Sequence, residues 1–132
     1  MAGFNVVVLA IKNETDGEDV LNGKFIQILH EEEGETVVFA TESRCRYHAQ
    51  ILDAFCREYR AAWRFDLNHK GDNGVLQEAH ARVLGGGLWR CYERERRLML
   101  GGTSQAFGDF VAQDLPQKLA ASGRFAGYCI EV

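Results

Sequence analysis

The period of the apolar residues changes along this chain, and that change constrains the fold more than any other feature. From residue 47 onward Tyr47, Ile51, Phe55, Tyr59 and Ala62, with Leu52 and Trp63 flanking, share one face at helical spacing. Gln50, Asp53, Arg57 and Arg60 fall on the opposite face, so the segment predicts a helix packed on one side and wetted on the other. The preceding segments are strand-like. Phe4 to Ile11 is a continuous Val-rich apolar run, which predicts a strand covered on both faces. Turn chemistry from Asn13 to Asp19 ends it. Lys24 to Leu29 and Thr36 to Thr41 predict two further strands around a solvated acidic turn, Glu31 to Glu35, and the three strands together predict a meander.

Beyond the helix, Asp66 to Gly74 is dense in turn formers and predicts an exposed loop. Leu76 to Leu84 alternates imperfectly and runs into Gly85, Gly86 and Gly87, which from the residues alone are most simply tight turns at a strand end. Leu88 to Tyr92 and Leu98 to Thr103, separated by a charged turn, predict a β-hairpin. Asp114 is a suitable N-cap for a second helix, with Pro116 in its first turn and Gly123 as the stop. Phe125 to Val132 predicts a closing strand. Strands on both sides of two separated helices predict one α+β domain over residues 1–132, with a mixed, mainly antiparallel sheet of about six strands. A chain of 132 residues is the length of one such domain.

Acidic residues outnumber basic ones, 19 to 15, which argues against nucleic-acid binding because phosphate neutralisation needs a surplus of Lys and Arg. No stretch has the length and apolarity of a membrane span. Met1 to Leu9 carries neither a basic leader nor a cleavage site, so a cytoplasmic protein is expected, and a monomer is expected because no heptad or long apolar stripe is left over. Cys45, Cys56, Cys91 and Cys129 form no CxxC pair. They predict reduced thiols packed as small apolar groups.

Among the four histidines, His30 and His69 read as surface residues and His80 as a structural residue in a strand-like run. His48 occupies the first turn of the strongest helix, beside Arg44 and Arg46. Unpaired N–H groups and the positive helix end favour an anion there, and positive surroundings keep an imidazole neutral and able to act as a base or nucleophile. The chain has 14 glycines against a single proline, and six of the glycines fall in two places, Gly85 to Gly87 and Gly101 to Gly108. Consecutive N–H groups in such loops can form an anion-binding nest. The segment GGTSQAFG matches neither the Walker pattern nor the GxGxxG fingerprint, and Ser104 is not in a GxSxG elbow. No Cys precedes a phosphatase-type loop ending in Arg, and no carboxylates stand at metal spacing. Any phosphate chemistry would thus proceed with no metal or other cofactor and no Cys nucleophile.

Three blocks then stand in order: Tyr47, His48 and Ala49 followed by Ile51 and Asp53; Leu84 to Gly87; and Ser104, Ala106, Phe107 and Gly108. In type and separation they resemble the small phosphohistidine phosphatases, the Janus/Ocnus family, from about Lys24 to Val132. The resemblance implies a central sheet with a helix on each side and metal-free removal of phosphate from phosphohistidine in partner proteins. It implies His48 as the essential histidine, the Ser104-Gln105-Ala106 loop and Lys24 as phosphate holders, and Gly85 to Gly87 at the border of the pocket, placing Gly87 among the substrate-binding residues. Two departures accompany it. Family members resembling the animal enzymes carry Arg where this chain has Ala40 and Leu88, which should weaken phosphate binding. Arg90, Arg44 and Arg46 are the candidates to replace those guanidinium groups. A catalytically weak phosphoprotein-binding or regulatory module, and a hydrolase of small phosphoramidates or phospholysine, are the alternatives to a protein phosphohistidine phosphatase.

Overall fold

The computed structural model describes residues 3–11 and 19–132. Its strands are β1 (Gly3–Leu9), β2 (Val20–His30), β3 (Gly34–Thr41), β4 (Arg64–Leu67), β5 (Gly74–Gln77), β6 (Ala81–Tyr92), β7 (Arg97–Gly101) and β8 (Cys129–Glu131). The helices are α1 (His48–Tyr59) and α2 (Leu115–Ala121). Six strands form one mixed sheet in the order β1-β3-β2-β6-β7-β8, and β4 and β5 form a separate hairpin. The β2-β3, β2-β6 and β6-β7 pairs are antiparallel, whereas β1-β3 and β7-β8 are parallel. This is the expected α+β domain.

The alternation of side chains along β2 and β3 divides the core in two. Ile26, Ile28, Val38 and Ala40 face α1 and meet Ile51, Leu52 and Phe55. Phe25, Val37 and Phe39 face the other way and meet Leu115 and Leu119 of α2, with Trp89, Leu98 and Phe125. A helix therefore covers each face. Gln27 is the polar exception in the apolar run of β2. It is buried, and its amide exchanges hydrogen bonds with both backbone groups of Val111 while donating to Glu35, which also accepts from Lys118 of α2. Those bonds tie the segment before α2 to the sheet.

Several expectations from the residues are corrected. The first three strands are not a meander, because β1 pairs in parallel with β3 rather than with β2. Being at the edge, β1 is only partly buried, while β3 is wholly buried. Glu35 is not in a solvated turn but within β3, where Gln27 and Lys118 satisfy its carboxylate. The loop Asp66 to Gly74 lies largely inside the β4-β5 hairpin, and the strand-like run from Leu76 is broken by a turn that leaves His80 exposed against Glu31. His30 is mostly covered, stacked on Trp63. The closing strand is confined to β8.

The first helix ends at Tyr59 rather than continuing to Trp63, so Tyr59 is exposed. Asp114 stands at the N-cap of α2 in a left-handed conformation with no side-chain capping bond, and Ser122 is the C-cap ahead of Gly123. Cys45, Cys56 and Cys91 are buried thiols, as expected, but Cys129 is exposed. Burial pushes the Cys56 thiol to about 11 and the Cys91 thiol, also disfavoured as thiolate by Glu93, to about 12. The turn predicted at Asn13 to Asp19 lies, up to residue 18, outside the described residues. No helix among the described residues is long and apolar enough to cross a membrane.

Candidate active site

His48 is the first residue of α1. Tyr47 is its N-cap, and Gln50 reaches back to accept the N–H groups of Arg46 and Tyr47, which fixes the entry of the chain into the helix. The His48 side chain is 7% exposed and turns down onto β6, where Nε2 lies 2.9 Å from the Gly87 carbonyl oxygen. A carbonyl can only accept, so neutral His48 carries its proton on Nε2 and keeps its lone pair on Nδ1. Every fully buried polar side-chain atom among the described residues has a partner, yet Nδ1 has none. Nδ1 therefore reaches solvent-accessible space. Burial is the main force lowering the His48 pKa from its usual range; the Gly87 bond opposes it and the Lys24 charge adds to it.

The glycine triplet makes this position possible. It is not a turn at a strand end but part of β6, paired to Phe25, Ile26 and Gln27 of β2. A Cβ on Gly86 would lie 2.5 Å from the Phe25 oxygen and 2.9 Å from His48 Cδ2. One on Gly85 would lie 2.0 Å from the Asp109 oxygen. The triplet thus admits the imidazole and the following loop by close approach, and its N–H groups do not form an anion nest, since Gly86 N–H is given to Gly108.

That loop is a closed turn. Ser104 and Gly108 exchange backbone hydrogen bonds, Gly108 takes the left-handed conformation that closes the turn, and the Ser104 hydroxyl accepts from Phe107 N–H. Ser104 is accordingly buried, with its hydroxyl oxygen engaged inside the turn. The N–H groups of Gln105 and Ala106 have no acceptor among the described residues. Both residues line a cleft of about 250 Å³ together with His48, Lys24, Arg46 and Thr103. Glu42 and Asp72 also line it, so two carboxylates face two cations. Lys24 lies 3.4 Å from Glu42.

The structure gathers His48, Lys24, Gln105 and Ala106 around one cleft and sets Ser104 and Gly87 just behind it. It does not bring in Arg44, which pairs with Glu58 at 2.8 Å and lines a different cavity, nor Arg90, which lines the neighbouring groove. Of the three candidate arginines only Arg46 borders the cleft. Glu42 and Asp72 were not anticipated. Asp72 arrives through the β4-β5 loop, a contact between segments far apart in the chain with no local pattern to announce it. Among the described residues no three His, Cys, Asp or Glu side chains are gathered to hold a metal ion.

Comparison with protein-family models matches residues 14–126 to the Janus/Ocnus family (Ocnus). The chain belongs to the Janus/Ocnus family. A comparison with curated proteins gives no match. In this Janus/Ocnus protein the two departures noted in the sequence prove to be neighbours of Lys24. Lys24 pairs across the sheet with Ala40 on one side and Leu88 on the other, and directly opposed residues share a face. Ala40 is fully buried beneath α1, whereas Leu88 is 48% exposed and forms an apolar wall of the cleft.

Proposed function

We propose that this protein removes the phosphoryl group from phosphohistidine in partner proteins, with His48 Nδ1 as the reacting atom. One observation carries the reading: His48, whose Nδ1 has no partner among the described residues, lines the same cleft as Gln105 and Ala106, whose backbone N–H groups likewise have no acceptor among the described residues. The N–H groups of Gln105 and Ala106, with Lys24 and Arg46, would hold the phosphoryl oxygens; the burden of developing negative charge falls on such fixed donors. Lys24 exchanges Glu42 for phosphate when substrate enters.

Hydrolysis of the P–N bond needs a nucleophile at phosphorus and a proton on the leaving imidazole nitrogen. With His48 as base, water attacks phosphorus, its proton passes to Nδ1, and Nδ1 returns that proton to the leaving nitrogen. With His48 as nucleophile, Nδ1 bonds to phosphorus as the substrate P–N bond breaks, the leaving nitrogen takes a proton from solvent, and water later cleaves the phospho-His48 bond to give phosphate and restore neutral His48. Acid-labile label on His48 in a rapid-quench reaction identifies the second route, and its absence with single-turnover hydrolysis identifies the first.

A second reading follows from Leu88 and Glu42, an apolar wall and a carboxylate beside the lysine: a binding module with little turnover. Wild-type hydrolysis of a phosphohistidine peptide, lost in His48→Ala, supports the phosphatase. Retained peptide binding with no hydrolysis by either protein supports the module. Turnover of phosphoramidate alone assigns the same cleft to small substrates.

A further inference from the structure

α1 covers only part of its side of the sheet. It packs on β2 and β3, where Ile26, Ile28, Val38 and Ala40 meet it. Beyond Lys24 the cross-strand rows continue without a helix above them: Lys24 with Leu88 and Gly101, then Asn22 with Arg90 and Met99. Of these residues Leu88, Gly101, Asn22, Arg90 and Met99 border a groove of about 480 Å³ that shares Leu88 and Glu42 with the His48 cleft. The groove is lined mainly by apolar groups, and Leu88 is half exposed in its wall.

The charges on this face are unequal in their satisfaction. Arg97, in the next row beside Tyr92, is matched by Glu131 at 3.3 Å and Glu95 at 3.6 Å and lies over the Tyr92 ring. Arg90 is exposed and makes no ion pair or hydrogen bond among the described residues. It stands one row from Lys24, two residues along β6 from Leu88, a separation of about 7 Å on a strand. An extended polypeptide spans that distance in about two residues.

We propose that this bare sheet face docks the polypeptide that carries the phosphohistidine, with Arg90 receiving an acidic side chain two or so residues from it and the groove receiving an apolar one. The proposal deepens the phosphatase reading and rests on it for the identity of the occupant. Arg90 is thereby a specificity residue for the protein substrate and not a phosphate ligand. Continuity with the cleft through Leu88, and the unmatched charge of Arg90 in a groove whose one carboxylate, Glu42, is paired with Lys24, select this partner chemistry. Such a charge at the edge of an interface acts on encounter and choice of partner.

The test uses the full chain and two phosphohistidine peptides of equal length, one with Glu and Leu beside the phosphohistidine and one with Lys and Leu, together with phosphoramidate as a substrate without flanks. Wild type is expected to favour the acidic peptide by about tenfold or more in kcat/KM, and Arg90→Glu to erase or reverse that preference while phosphoramidate turnover stays within about twofold. Equal use of both peptides by wild type, or an unchanged preference in Arg90→Glu, overturns the proposal. So does a dimer in sedimentation that Arg90→Glu dissolves, since the face would then belong to a second copy. If wild type hydrolyses none of the three, the phosphatase reading fails. Fluorescence anisotropy with the same two peptides then decides the docking face separately, by the same preference and the same reversal.

Discussion

His48 Nε2 and the Gly87 backbone oxygen lie 2.9 Å apart across the interface between α1 and β6. The contact joins a helix start to a strand thirty-nine residues later, and it settles the tautomer of the histidine. With Nε2–H given to the carbonyl, only Nδ1 can meet a substrate. The same contact holds the ring at a fixed orientation, so anything that moves β6 moves Nδ1.

The first prediction concerns pH. Burial lowers the His48 pKa below its ordinary 6.5, so the unfolded chain binds this proton more tightly than the folded one. The stability it contributes is complete above about 6.5 and is lost as pH falls through the lowered folded value. NMR of the ring nitrogens should show the Nε2–H tautomer at neutral pH and a titration midpoint below 6.5. The acid limb of hydrolysis should follow that midpoint. A midpoint at or above the ordinary value contradicts the placement.

Gly86→Ala should displace His48. The added Cβ would meet the Phe25 oxygen and the His48 ring, and such overpacking costs about 1–3 kcal/mol. Urea unfolding should show that loss, and hydrolysis should fall well beyond it because the ring is displaced. Gly123→Ala is the control, having open space at its Cβ, and both measurements should be near wild type.

Leu88→Arg should strengthen phosphate binding, because the new guanidinium would stand next to Lys24 at an exposed position. A tightening of about tenfold for inorganic phosphate, or about 1.4 kcal/mol, is expected by calorimetry. Ala40→Arg should instead unfold the protein, since that site is fully buried under α1 and an uncompensated buried charge costs several kcal/mol.

Arg46→Ala should weaken phosphate binding and Arg44→Ala should not. Arg46 borders the cleft, while Arg44 is committed to Glu58. Loss of that partly exposed pair should change stability by at most about 1 kcal/mol. Equal losses of phosphate affinity in both variants would show that the geometry of the cleft has been misassigned.

Gln27→Leu should destabilise the fold by about 1–3 kcal/mol, because buried Glu35 loses a donor. Val111 would lose its partner for both N–H and C=O. Thermal unfolding measures the loss directly, and phosphate binding reports whether the Ser104 to Asp109 loop shifts with it.

The amino-acid sequence by itself determined the elements whose signals are local. The period of α1, the apolar runs of β2 and β3, and the β6-β7 hairpin are all readable in windows of a few residues, because side-chain alternation follows from backbone geometry alone. His48 was legible for the same reason: its place at a helix start is a local fact, and the three ordered blocks marked it further. Only the tertiary structure decided what depends on residues meeting from afar. The parallel pairing of β1 with β3, the passage of the glycine triplet through β6, and the β4-β5 hairpin all rest on long-range hydrogen bonds and packing. So does the division of labour among the arginines. Arg44, Arg46 and Arg90 are equivalent as letters, and they separate into an ion pair with Glu58, a border of the cleft and an unmatched charge on a bare face. The direction of a long side chain is set by what the folded chain places around it, and neighbours in space are not neighbours in sequence.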